Sequence, residues 1–258
     1  MRDALELAHG LRLSYLTWGE RDAPPLVLLH GGACAAAEWR EIAPALAEDH
    51  YVVAPDLRGC GESDWDPELR YGVRQMVADT RELAAHLGLR RYALVGHSLG
   101  AVAAILHAAY HPGDLRSVVL EDGGPADRTS PPALPSTPDS FAGEEEVLAW
   151  MRVPPWVVET RLRPENGRLV WRGDMEGRKR WAAAGGEPLL PKLWPAVEKV
   201  AVPALLVRGA HSLPFPRETA ERMAELNPRI RLVEIPDAGH LVHYEQPESF
   251  LDAVRPFL

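Results

Sequence analysis

The sequence predicts an α/β fold: a mostly parallel, doubly wound sheet interrupted by one helical insertion. Three observations predict it. Short β-rich apolar runs alternate with amphipathic segments, the residues able to do chemistry fall just after those runs, and one long stretch breaks the alternation. ALEL and LRLSYL read as a hairpin across His9-Gly10, and PLVLLH, YVVAPD, YALVGH, SVVLED, PALLVRG and RLVEIP as further strands. Helices are expected near 37–48, 72–87, 98–111, 217–226 and 247–257. In sheets of this kind ligands gather beyond the carboxyl ends of the strands, so those positions receive the closest reading.

The break runs over about 124–197, which holds five of the eight tryptophans: Trp150, Trp156, Trp171, Trp181 and Trp194. Its first part, PADRTSPPALPSTPDSFAGEEE, has the composition of a loop, and the rest has room for three or four short helices. The expected organisation is therefore a core of 1–123 and 198–258 carrying a lid at 124–197. Most of the tryptophans are expected to pack the lid, with Trp156 and Trp181 as candidates for an apolar substrate pocket.

Composition excludes several classes of function. A formal net charge of −9 offers no electrostatic footprint for nucleic acid or an anionic membrane. No stretch approaches the roughly 20 apolar residues that span a bilayer. The opening MRDALELAHG lacks the apolar core of a signal peptide, so a cytoplasmic location is expected. Cys34 and Cys60 are read as free thiols, and neither has a partner at metal-ligand spacing. No metal and no organic cofactor are expected.

LVGHSLGA sets Gly96-His97-Ser98-Leu99-Gly100 between a β run and an Ala-rich helix. In this G-x-S-x-G pattern the serine occupies a sharp strand-to-helix turn whose flanking positions leave no space for side chains. Ser98 is thereby offered as a nucleophile at a helix N-terminus. His97 diverges from it and is assigned to the loop or pocket.

With LLHGGACAAAEW at 28–39, APDLRGCGESD at 54–64 and PDAGHLVHYEQPESFLDAVRPFL at 236–258, the elbow resembles the signatures of α/β-hydrolase-fold proteins. The likeness runs through nearly the whole chain outside the insertion, which falls where that family carries its lid. The resemblance implies His240 as general base, with His243 competing, and the Leu99 and Gly32 amides as oxyanion donors, with Ala33 the alternative to Gly32. His243, His97 and Ala33 are also candidate substrate contacts. His30, Asp56 and Arg58 read as loop-bracing residues.

The resemblance also implies an acid just after PALLVRG, but Ser212 and Leu213 stand there, and Glu218 falls in the next helix. Some relatives carry the acid at the end of the strand before the lid, where this chain has VVLEDGGP. Side chains alternate in an extended segment, so Glu121 and Asp122 cannot both face one histidine. Alignment on the family pattern favours Asp122, with Glu121 or no working acid as alternatives. The expected function is a serine hydrolase acting on a small, apolar carboxylic ester or lactone. A C–C hydrolase or lyase, a thioesterase or acyltransferase, and a non-catalytic binding protein are the alternatives.

Overall fold

A computed structural model describes residues 1–125, 138–151, 155–184 and 193–258, the side chains of Met151, Trp156 and Val157 apart. The chain opens with β1 (Arg2–Glu6), β2 (Arg12–Trp18) and β3 (Pro25–Leu29), then helix α1 (Ala43–Leu46) and β4 (Tyr51–Pro55). Helix α2 (Val73–His86), β5 (Tyr92–His97), α3 (Leu99–Tyr110) and β6 (Leu115–Glu121) follow. Between β6 and the next strand of the main sheet lie β7 (Ser140–Phe141), α4 (Glu144–Met151), α5 (Pro155–Arg161), β8 (Leu162–Glu165), β9 (Arg168–Trp171), α6 (Met175–Ala183) and α7 (Trp194–Lys199). The chain closes with β10 (Ala204–Gly209), α8 (Arg217–Leu226), β11 (Ile230–Ile235), α9 (Val242–Glu245) and α10 (Pro247–Val254).

Eight strands form one sheet in the order β1-β2-β4-β3-β5-β6-β10-β11. The β1–β2 and β2–β4 pairings are antiparallel and the remaining ones parallel. Period-two alternation sorts the strand residues between two cores. Val27, Leu29, Leu94, Leu120 and Leu206 pack with α2, α3, α7 and α8 on one face. Leu26, Leu28, Val95, Val119, Leu205 and Val207 pack with Trp39, Phe250 and Val254 on the other. Burial on both faces explains why these strands read as continuous apolar runs.

Two segments differ from expectation. The helix expected over 37–48 is a 3-10 turn at Ala36–Trp39 followed by the four-residue α1. Pro44 lacks the N–H that a continuous helix would need there. Among its described residues the insertion contains four helices and also a three-stranded antiparallel sheet, β7-β9-β8. Its hairpin turns at Asn166 (φ 48°) and Gly167 (φ 76°), the left-handed pair of a tight hairpin turn. Phe141, Trp150 and Trp171 pack together with ring centroids 5.6–6.1 Å apart, giving the insertion an apolar core of its own. It is tied to the body through the DLRGCGESD loop and the segment that follows it: Tyr71 donates to Asp174 Oδ2 at 2.5 Å, and the Asp174 amide donates to the Gly59 carbonyl at 2.9 Å. No helix among the described residues is long and apolar enough to cross a membrane.

Candidate active site

The site is assembled at the carboxyl ends of β5, β6 and β10 and on the loop after β11. Ser98 follows β5 directly and holds φ 52° and ψ −111°, a left-handed conformation costly for a residue with a side chain. A Cβ on Gly96 would run into the Gly100 carbonyl, and one on Gly100 into the Leu29 carbonyl. Both glycines of the motif are therefore required by close approach of backbone.

His240 Nε2 lies 3.1 Å from Ser98 Oγ, and His240 Nδ1 lies 2.7 Å from Asp122 Oδ2. The Asp122 carboxylate is fully buried, so the ring nitrogen facing it carries the proton and donates. The other nitrogen then turns a bare lone pair toward the Ser98 hydroxyl. Asp122 is held from two further sides: Oδ1 accepts from the Gly209 amide at 3.0 Å and Oδ2 from Ser212 Oγ at 2.5 Å. Ser212 thus places a hydroxyl against the carboxylate, whereas Leu213 is 84% exposed.

Glu121, one residue earlier, points the opposite way. Its carboxylate accepts from the His243 amide at 2.8 Å and from His243 Nδ1 at 2.8 Å. Both side chains are buried, and the His243 ring stacks on Trp39 at 4.6 Å. His243 is therefore removed from the position of substrate contact and of competing base. His97 requires the same correction. It is 1% exposed, with Nδ1 3.1 Å from Glu38 Oε1 and Nε2 donating to the His240 carbonyl at 2.9 Å, so it faces the protein interior and not a substrate.

Gly32 and Leu99, the expected oxyanion donors, are neighbours: a Cβ on Gly32 would stand 3.8 Å from Leu99 Cδ2. Leu99 opens α3, so its amide belongs to the unsatisfied positive end of a 12-residue helix. Ala33, with φ 57°, packs against the apolar core of the insertion. His30 Nε2 accepts from the Leu57 amide at 2.9 Å and its Nδ1 donates to the Gly31 carbonyl at 2.7 Å, bracing this loop. Burial lowers its pKa, in keeping with a neutral ring. Arg58 pairs with Asp79 and Asp66, while Asp56 takes Arg2 and the Ala36 amide. The two braces do not pair with each other. Trp181 is half-buried on α6, and the Trp156 side chain lies outside the described residues. Cys34 and Cys60 are free and buried.

The buried imidazole and carboxylates have a consequence for stability. Burial disfavours charge on His97, but the facing Glu38 carboxylate outweighs it and raises the pKa from 6.5 to about 9, with Glu121 and Asp122 adding to the effect. The raised value means that this contribution to stability is complete below pH 6.5 and lost as pH rises through about 9. The thermal midpoint of the protein is expected to fall between pH 7 and 10, and by less in His97→Gln; equal falls would remove His97 as a cause.

The chain belongs to the alpha/beta hydrolase family, whose model matches residues 26–253. It is 31% identical to an N-formylmaleamate deformylase of Pseudomonas putida, over 97% of this chain and 94% of that protein. A soluble epoxide hydrolase of a Corynebacterium is 29% identical over 97% of this chain and 95% of its own. The crystal structure of an E-2-(acetamidomethylene)succinate hydrolase superposes with a TM-score of 0.87 at 26% identity, covering 100% of this chain and 98% of that one.

Proposed function

We propose that the protein is a serine hydrolase that cleaves an acyl compound, such as a carboxylic ester or lactone, through an acyl-enzyme. One observation carries this reading: the chain of hydrogen-bond distances from Ser98 Oγ through His240 to Asp122, 3.1 and 2.7 Å. In the first half-reaction His240 Nε2 takes the hydroxyl proton as Ser98 Oγ attacks the carbonyl carbon. The Leu99 and Gly32 amides receive the negative charge on oxygen, and each such donor is worth about 2.7–4 kcal/mol at the transition state. The imidazolium, stabilised by Asp122, then protonates the leaving group. Water repeats the sequence, with His240 as base, and releases the acid. A serine at the elbow argues against a carboxylate nucleophile, whatever the bond a given relative cleaves.

A second reading, hydrolysis of an N-acyl bond in a substrate that bears a carboxylate, is favoured by two observations. The relatives named above include hydrolases of an N-formylmaleamate and of an acetamidomethylene-succinate. In the insertion, Arg178 is 7% exposed, and the buried Nε atoms of Arg178 and Arg161 have no hydrogen-bond partner among the described residues. Among the described residues Arg178 Nη2 meets the Cys60 sulfur at 3.1 Å and the Arg58 carbonyl at 3.4 Å, and the guanidinium carbon lies 5.4 Å from the Tyr71 ring centroid, a poor match for a buried guanidinium that suits a substrate anion.

The test compares aryl esters with N-formyl and N-acetyl amides, each with and without a carboxylate. A burst of aryl alcohol followed by slow turnover is expected for the esters. Arg178→Gln is expected to raise KM for carboxylated substrates about tenfold and leave neutral esters unchanged. Equal effects on both would assign Arg178 to packing. Turnover of a β-diketone or vinylogous acid with no ester turnover would instead favour C–C bond cleavage by the same residues.

A further inference from the structure

Behind the Ser98–His240–Asp122 chain lies a second set of buried ionisable groups that the proposed chemistry does not use. Glu38, His97, Glu121 and His243 are each at most 2% exposed, an arrangement of two carboxylates and two imidazoles that is costly unless paired. The pairing is specific. Glu38 comes from the 3-10 turn after the oxyanion loop, and its two oxygens are divided: Oε2 accepts from the Gly31 amide at 2.8 Å, and Oε1 faces His97 Nδ1 at 3.1 Å. The other His97 nitrogen, Nε2, has the His240 carbonyl at 2.9 Å. A carbonyl can only accept, and a carboxylate can only accept, so an imidazole between them must be protonated on both nitrogens. The rings of His97 and His240 lie 4.8 Å apart, and a Cβ on Gly31 would meet the His97 ring at 2.8 Å, so the three loops are packed without slack.

We propose that His97, held as an imidazolium by Glu38, is a positioning residue that fixes the backbone of His240, and that Glu38, by gripping Gly31 as well, couples the oxyanion loop to the histidine loop. Glu121 completes the arrangement from the other side by holding His243, three residues beyond His240. The histidine loop is thereby pinned at two points by buried charge, and His240 Nε2 keeps its 3.1 Å approach to Ser98 with little freedom to swing. Neither His97 nor Glu38 touches the reacting atoms. Their effect is on geometry, where a displacement of about 1 Å costs on the order of 10²-fold in rate.

The effect on turnover rests on the serine-hydrolase reading; the protonation state does not, and it is measured separately. The experiment is nitrogen NMR of the histidine rings in the unmodified protein at pH 7, with His97 assigned by its loss in His97→Gln. Both His97 nitrogens are expected to be protonated, and Glu38→Gln is expected to remove the Nδ1 proton while lowering kcat about 10²-fold with KM held within about twofold. Glu38→Asp, which keeps the charge, is expected to recover part of the loss. A His97 protonated only on Nε2 in the unmodified protein would overturn the proposal, as would a Glu38→Gln protein with unchanged kcat. Labelling of Ser98 by a fluorophosphonate in the same samples separates the two claims: labelling with a singly protonated His97 refutes the positioning role alone, and absence of labelling refutes the hydrolase reading.

Discussion

Asp122→Asn is expected to lower kcat by roughly 10⁴-fold while leaving the fold intact, because an amide can donate to His240 Nδ1 and so hold the ring in the tautomer that cannot accept the Ser98 proton. The surroundings sharpen this expectation. The carboxylate accepts from the Gly209 amide, Ser212 and His240, so an amide cannot keep all three bonds, and its NH₂ group finds an acceptor at His240 only where the ring gives up its Nδ1 proton. Thermal unfolding would register that mismatch as a modest loss of stability alongside the loss of rate. Ser212→Asp in the Asp122→Asn background is the rescue to attempt, since Ser212 Oγ already lies against the carboxylate while Leu213 faces solvent. Recovery of about 10-fold or more over the single variant is expected if the new acid reaches His240; the kcat of the two variants, measured on one aryl ester, decides it. Glu121→Gln should instead lower stability more than kcat, because its partner His243 is one step removed from the chemistry.

Ser98→Ala is expected to have the larger effect, a loss on the order of 10⁶-fold in kcat with substrate binding retained. Removal of the hydroxyl also relieves no strain, since alanine is as poorly suited as serine to φ 52°. The comparison of kcat with KM over one ester series checks this, and residual turnover above about one part in 10³ would point to a different nucleophile.

Much of this arrangement was legible in the sequence because it is local. Strand ends can be read from apolar runs, and the G-x-S-x-G turn from two glycines at fixed spacing. VVLEDGGP ends a strand on acids while Ser212 and Leu213 stand after PALLVRG, and this contrast singles out Asp122. The alternation of side chains says that Glu121 and Asp122 diverge, and they do, one to His243 and one to His240. What the sequence does not reveal is pairing over long separations. Glu38 lies in AAAEWREI, which has the look of a solvated helix face, and nothing local signals that it meets His97 across 59 positions. His97 and His243, each near a motif residue, read from sequence as candidates for substrate contact, and their burial depends on loops that no single segment encodes. The β7-β9-β8 sheet had a signal that could have found it: Asn166-Gly167 between LRPE and RLVW is a hairpin turn pair, easily overlooked amid helix-like neighbours.

Whether Ser98 is an activated nucleophile is tested by mass spectrometry of the protein after brief treatment with a fluorophosphonate at pH 7 to 8. A single adduct on the peptide containing Ser98 is expected, formed much more slowly in His240→Gln and Asp122→Asn. No adduct, an adduct on another residue, or equal labelling rates in all three proteins would contradict an activated Ser98.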